Sequence, residues 1–136
     1  MNRAEKFLKL AYKHTFESLH SFPMAAVLAD GRRVISIGIN RTKTHPKQHQ
    51  RVGAAGNLYG YNRPHAELDC LIRANYEDIA GSTIYIARRK KNMDLGIAKP
   101  CVICFDLLKK YKIKHIYYTV DHPILTSGVW YEHIAL

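Results

Sequence analysis

The stretch from Thr83 to Val120 constrains the fold most. A strand-like run, Thr83 to Arg88, is followed by a segment that Pro100 opens and that reads as a helix from Cys101 to Lys110. A second strong run, Ile113 to Val120 (IKHIYYTV), comes next. Two strands joined through a helix form a β-α-β unit and lie parallel. Upstream, residues 4–19 place Phe7, Leu8, Leu10, Ala11, Phe16 and Leu19 at helical spacing with lysines between, which predicts an amphipathic helix. Ser21, Phe22 and Pro23 end it. The runs Met24 to Ala29 and Val34 to Ile39 flank Asp30-Gly31, a hairpin signal.

Residues 40–63 read as a long loop rich in Gly, Asn, His and basic residues. Loops of that length in a compact domain usually carry function. Pro64 suits the first turn of a helix reaching about Asn75. Gly81 precedes the Thr83 strand, and Arg89 to Lys99 form a basic loop. The predicted order is α-β-β-α-β-α-β with a tail of 16 residues. A strand in that tail, at Gly128 to Tyr131, must be antiparallel to its predecessor. Asp121 to Ser127 is too short for a parallel crossover, which needs a dozen residues or more. The expected fold class is α/β: a three-layer α/β/α sandwich around a mixed sheet of about five strands.

At 136 residues, 47% of them apolar, the chain fits one domain over 1–136. Its three cysteines, Cys70, Cys101 and Cys104, are too few and odd in number for a disulfide framework. Met1 to Leu10 lacks the apolar stretch of a secretory signal. No apolar run approaches the ~18 residues of a membrane span. A cytoplasmic protein with no membrane partner is expected.

Two short segments carry chemistry. Pro64-His65-Ala66-Glu67 and Pro100-Cys101-Val102-Ile103-Cys104 each open a predicted helix. Cys101 and Cys104, three apart, share one face of a first turn. The positive end of the helix favours the thiolates that a metal needs. His65 adds a nitrogen from the other helix start. Two thiolates, one imidazole and an open position for water describe a catalytic zinc site rather than a closed structural one. Glu67, two residues after His65, can reach that water without binding the metal, as a proton-transferring group would. A thioredoxin-like redox pair would leave His65 and Glu67 without a purpose. Cys70 reads as a buried small hydrophobe. His45 and His49 read as part of a solvated basic loop, with a second metal site as the sharper alternative.

The H-x-E…P-C-x-x-C pattern, running from His65 to Cys104 within a strand–helix framework from about Phe22 to Val120, resembles the cytidine deaminase-like superfamily. The resemblance implies Zn2+ held by His65, Cys101 and Cys104, with Glu67 as the catalytic acid and base. It implies that Asn40 contacts substrate, that Ala25 and Ala26 in Pro23–Val27 form the pocket floor, and that the peptide at Ala66 lies close to the base. It also implies assembly into a homo-oligomer.

The chain departs from relatives at three places. His65 and Cys101 stand 36 residues apart because Arg88 to Lys99 is long. The loop from Arg41 to Arg63 is long, as in deoxycytidylate deaminases, where an insertion helps bind nucleotide. The tail lacks room for the crossover helix of tRNA and polynucleotide deaminases. Lys plus Arg number 21 against 11 Asp plus Glu, a formal charge of +10, which attracts phosphates. Arg41, Lys43, Lys47 and Arg51 lie on one loop, and Arg88, Arg89, Lys90 and Lys91 on the other. By fold analogy both would rim the pocket. Arg41, Lys43, Arg51, Arg88, Arg89 and Lys90 are the candidate phosphate or nucleic-acid contacts. The function expected is cytosine deamination in a nucleotide or nucleoside. The alternatives are a cytosine or adenine deaminase of single-stranded nucleic acid or tRNA, and a zinc-stabilised nucleic-acid-binding module without catalysis.

Overall fold

The computed structural model describes residues 2–41, 65–124 and 127–136. Helix α1 spans Arg3–His14, capped by the Asn2 side chain, which accepts the Glu5 N–H at 2.8 Å. It ends earlier than its periodicity suggests. A 3-10 turn, Thr15–Glu17, follows, and the Thr15 hydroxyl donates back to the Tyr12 carbonyl at 2.5 Å. Leu19 is 92% exposed and Phe16 53%, so neither joins the helix's buried face of Phe7, Leu8 and Ala11.

Strands β1 (Met24–Asp30) and β2 (Arg33–Ile39) form the expected hairpin, turned by Gly31 at φ +60°. Helix α2 (Ala66–Arg73) is shorter than predicted. The chain turns extended at Ala74 and Asn75, and the single helical turn α3 (Tyr76–Ile79) follows. Strand β3 is Thr83–Arg89, helix α4 Val102–Lys110 and strand β5 His115–Thr119. β3 and β5 are parallel, as the β-α-β reading requires. The basic loop between β3 and α4 contributes an unpredicted two-residue strand, β4 (Leu95–Gly96), antiparallel to the end of β3. The tail forms β6, Tyr131–Ala135, antiparallel to β5 as expected but beginning where the expected strand, Gly128 to Tyr131, was to end. The sheet is mixed and six-stranded, ordered β2-β1-β3-β5-β6 with β4 on β3.

Alternating strand residues feed two cores. Val27, Ala29, Tyr85 and Ala87 pack with Phe7, Leu8 and Ala11 of α1. Ala26, Leu28, Ile84, Ile86, Ile116 and Tyr118 pack with Leu68, Leu71, Leu107 and Leu108 of α2 and α4. The layers are therefore α/β/α. Gly38 sets how closely α2 lies on the sheet. A Cβ there would stand 2.3 Å from the Cys70 nitrogen and 2.6 Å from the Ala66 carbonyl oxygen. No helix among the described residues is long and apolar enough to cross a membrane.

Candidate metal centre

His65 and Cys101 occupy the same structural position on two helices. Each is the extended residue immediately before the first turn, of α2 and α4 respectively. Cys101 caps α4 through its sulfur, which accepts the Cys104 N–H at 3.4 Å. Cys101 therefore stands just before the helix rather than as its first residue. Its capping role leaves the sulfur at the positive helix end, beside Cys104 one turn on.

The three side chains converge. His65 Nδ1 lies 3.9 Å from Cys101 Sγ and 3.7 Å from Cys104 Sγ. All three donor atoms fall within 4.8 Å of one another. A tetrahedral zinc bonded at ~2.3 Å to sulfur and ~2.0 Å to nitrogen holds such donors ~3.5 Å apart. The donor set and its spacing therefore fit zinc. Without metal, the hydrogen bond to Cys101 pushes the His65 imidazole pKa up. The hydrogen bond to Cys101, with burial, holds the Cys104 thiol well above its ordinary range.

Glu67 sits one turn-position inside α2, 2% exposed, and its Oε1 has no hydrogen-bond partner. Burial pushes its carboxyl up to about 7, outweighing the lowering effect of His65. A buried carboxyl with one oxygen unpaired and a pKa near neutrality suits proton exchange. Cys70 is buried and faces Ser36, and burial pushes its thiol up to about 12. It is not among the converging donors.

The expected pocket residues divide. Ala26 and Ala66 lie in one buried cluster on the α2 side. Strand alternation turns the Ala25 methyl to the Val27 side, under α1, which corrects its assignment to the floor of the same pocket. The Asn40 carboxamide is a structural clamp. Its oxygen accepts from Met24 N–H at 2.9 Å and Ser18 Oγ–H at 2.6 Å, and its Nδ2 donates to the Phe22 carbonyl at 2.7 Å. At most one N–H remains to offer a ligand.

The basic candidates are dispersed. Arg41 Nε bonds the buried Asp69 carboxylate at 2.9 Å, and Arg73 Nε bonds its other oxygen at 3.1 Å. Asp69 also accepts the Ile39 N–H at 3.0 Å. Arg89 points to the α1 side, bonding Thr15 Oγ1 at 3.2 Å with its guanidinium 4.2 Å from the Phe16 ring centre. Lys90 pairs with Asp121 at 3.0 Å. Arg89 is thus engaged on the α1 side, away from Arg88, while Lys90 forms a surface ion pair with Asp121. Within the run Arg88 to Lys90, strand alternation puts Arg88 on the α2 side, where Arg41 also lies through its bond to Asp69. Lys43, Arg51, His45 and His49 lie outside the described residues. Sequence reasoning missed Asp69 and Gly38. Asp69 and Arg73 are legible as an i,i+4 helix pair, whereas the reach to Arg41 needs the fold.

Residues 1–120 match the cytidine and deoxycytidylate deaminase zinc-binding region. Comparison with curated proteins finds no relative of similar sequence. Two solved structures of dCMP deaminase from the cyanophage S-TIM5 share the fold. The apo form aligns with a TM-score of 0.60 at 17% identity, over 88% of this chain and 86% of that one. The complex with dCMP and dUMP aligns with a TM-score of 0.61 at 19% identity, over 90% and 85%. At these identities the likeness is one of fold.

Proposed function

Because this chain belongs to the cytidine and deoxycytidylate deaminase zinc-binding family, we propose that it converts cytosine to uracil by hydrolysis, in a deoxycytidine mononucleotide. The observation that carries this reading is the meeting of His65, at the start of α2, with Cys101 and Cys104, at the start of α4, two residues from the buried, half-unpaired Glu67 of α2. His65, Cys101 and Cys104 hold zinc. When bound, zinc supplies the Lewis acidity that makes water a usable nucleophile near neutral pH. Glu67 takes a proton from that water and delivers it to the ring nitrogen of the base. It then takes the second proton, from the hydroxyl now on the ring carbon, and gives it to the departing amino group. A C–O bond forms at the ring carbon, the C–N bond breaks, and cytosine plus water gives uracil plus ammonia. Burial around Glu67 keeps its proton affinity near that of its partners in these transfers.

A mononucleotide is favoured over a strand by the fate of the basic residues. Arg89 and Lys90 are turned to partners within the chain, so the run Arg88 to Lys90 does not form a continuous cationic track. The cyanophage dCMP deaminase likeness supports the same substrate class through fold alone. The test is ammonia release and product mass from zinc-loaded protein given dCMP, deoxycytidine, cytidine and a cytosine-containing single-stranded oligonucleotide. Turnover of dCMP above the others is expected. Turnover of the oligonucleotide alone would replace this reading with strand editing.

A further inference from the structure

Arg88 is built into the sheet in a way that its neighbours are not. On β3, Ile84 and Ile86 face the α2 and α4 core, and alternation puts Arg88 on that face. Its cross-strand partner is Met24, which packs on the same core and whose N–H is held by Asn40. Ala66, next to His65, rests on Gly38, two residues from Asn40. Arg88 therefore stands at the end of the sheet from which α2 begins.

The side chain is fixed from several sides. A Cβ on Gly96 would come within 2.9 Å of the Arg88 Cδ and 3.1 Å of its Cγ and Nε. The guanidinium carbon lies 5.2 Å from the Phe22 ring centre. The Arg88 backbone N–H donates to Thr119 Oγ1 at 3.2 Å, and that hydroxyl donates to the Gly96 carbonyl at 2.7 Å. Arg41, Arg73 and Arg89 each give their Nε–H to an acceptor, Asp69 twice and Thr15 once. Arg88 Nε is buried and has none. A buried charged donor without an acceptor is costly, and the fold maintains one on the sheet face that α2 covers.

We propose that Arg88 selects the nucleotide, its Nε and a neighbouring Nη taking the 5′-phosphate of the substrate as a bidentate pair. This rests on the deaminase reading above. A phosphate monoester, carrying close to two negative charges near pH 7, suits a single half-buried guanidinium better than a strand does, because a strand needs a row of cations.

The test is calorimetric binding of dUMP, deoxyuridine and an oligodeoxycytidylate to zinc-loaded wild type, Arg88→Met, Arg88→Lys and Arg89→Met. The expected result is that Arg88→Met cuts the preference for dUMP over deoxyuridine roughly tenfold to hundredfold, the worth of a charged hydrogen-bond pair. Arg88→Lys recovers part of it. Arg89→Met, which removes the same charge from the other face, keeps it. An unchanged preference in Arg88→Met overturns the proposal, as does an equal loss in Arg89→Met or a loss confined to the oligonucleotide. Arg88→Lys reports if Arg88→Met fails to fold. Wild type that binds dUMP in this way but leaves dCMP intact would sink the deaminase reading and leave Arg88's role standing.

Discussion

Glu67 and Arg88 carry the two buried side-chain atoms that lack a hydrogen-bond partner among the described residues, Oε1 of one and Nε of the other. Glu67 belongs to the helix that covers one face of the sheet, and Arg88 rises from the strand face beneath that layer. An unpaired carboxyl oxygen and an unpaired guanidinium N–H are thus kept on one side of the sheet. Among the described residues the opposite face, under α1, shows neither; there Arg89 has Thr15 and Phe16 as partners.

Zinc and protons should compete for the donors. Cys104 is held as a thiol well above its ordinary range, by its hydrogen bond to Cys101 and by burial. Metal binding must displace that proton, so affinity weakens as pH falls. A chelator competition across neutral pH checks this. Affinity that does not change with pH would contradict it.

The metal-stripped chain should lose stability as pH rises. The Glu67 carboxyl is pushed up to about 7 from 4.5. A group raised in the folded state stabilises fully only below its unfolded value, and that contribution is lost as pH rises through the folded one. Denaturant midpoints from about pH 4.5 to about 7 should therefore fall in wild type, and fall less in Glu67→Gln. An equal slope in the two proteins would contradict the burial argument.

Gly38→Ala should destabilise the fold by more than about 2 kcal/mol, since overpacking against backbone has no flexible side chain to relieve it. The added Cβ meets the Cys70 nitrogen at 2.3 Å. Because α2 must lift, zinc affinity should fall with stability. Thermal melting with and without zinc separates the two effects.

Asn40→Ala should cost about 1–3 kcal/mol, because it strands the Met24 N–H and the Phe22 carbonyl, while the Ser18 hydroxyl keeps only the residue 40 backbone carbonyl. A clamp of this kind lowers stability even without ligand. An effect confined to substrate affinity, with melting unchanged, would instead favour the substrate-contact role that the family resemblance implies.

Much of the site was legible because helix starts are written locally. Proline before His65 and before Cys101, and the spacing of Cys101 and Cys104, mark two first turns that the β-α-β order brings together. The mixed sheet and the antiparallel tail followed from connection lengths. What escaped depends on which face a strand residue takes or which partner a loop charge finds. Arg88 and Arg89 are neighbours in sequence, yet alternation sends one to each side of the sheet. β4 is two residues long, too short to leave a periodic signal. Asp69 reads as an ordinary helix acid until the fold brings Arg41 to it.

The most direct test follows dUMP formation from dCMP by zinc-loaded wild type and by Glu67→Gln at equal zinc content. Wild type should form dUMP and ammonia in equal amounts. The variant should keep its zinc and lose at least a hundredfold in rate, roughly the lower bound for a positioned proton-transfer group. Intact dCMP with wild type, or equal rates in the two proteins, would contradict the account.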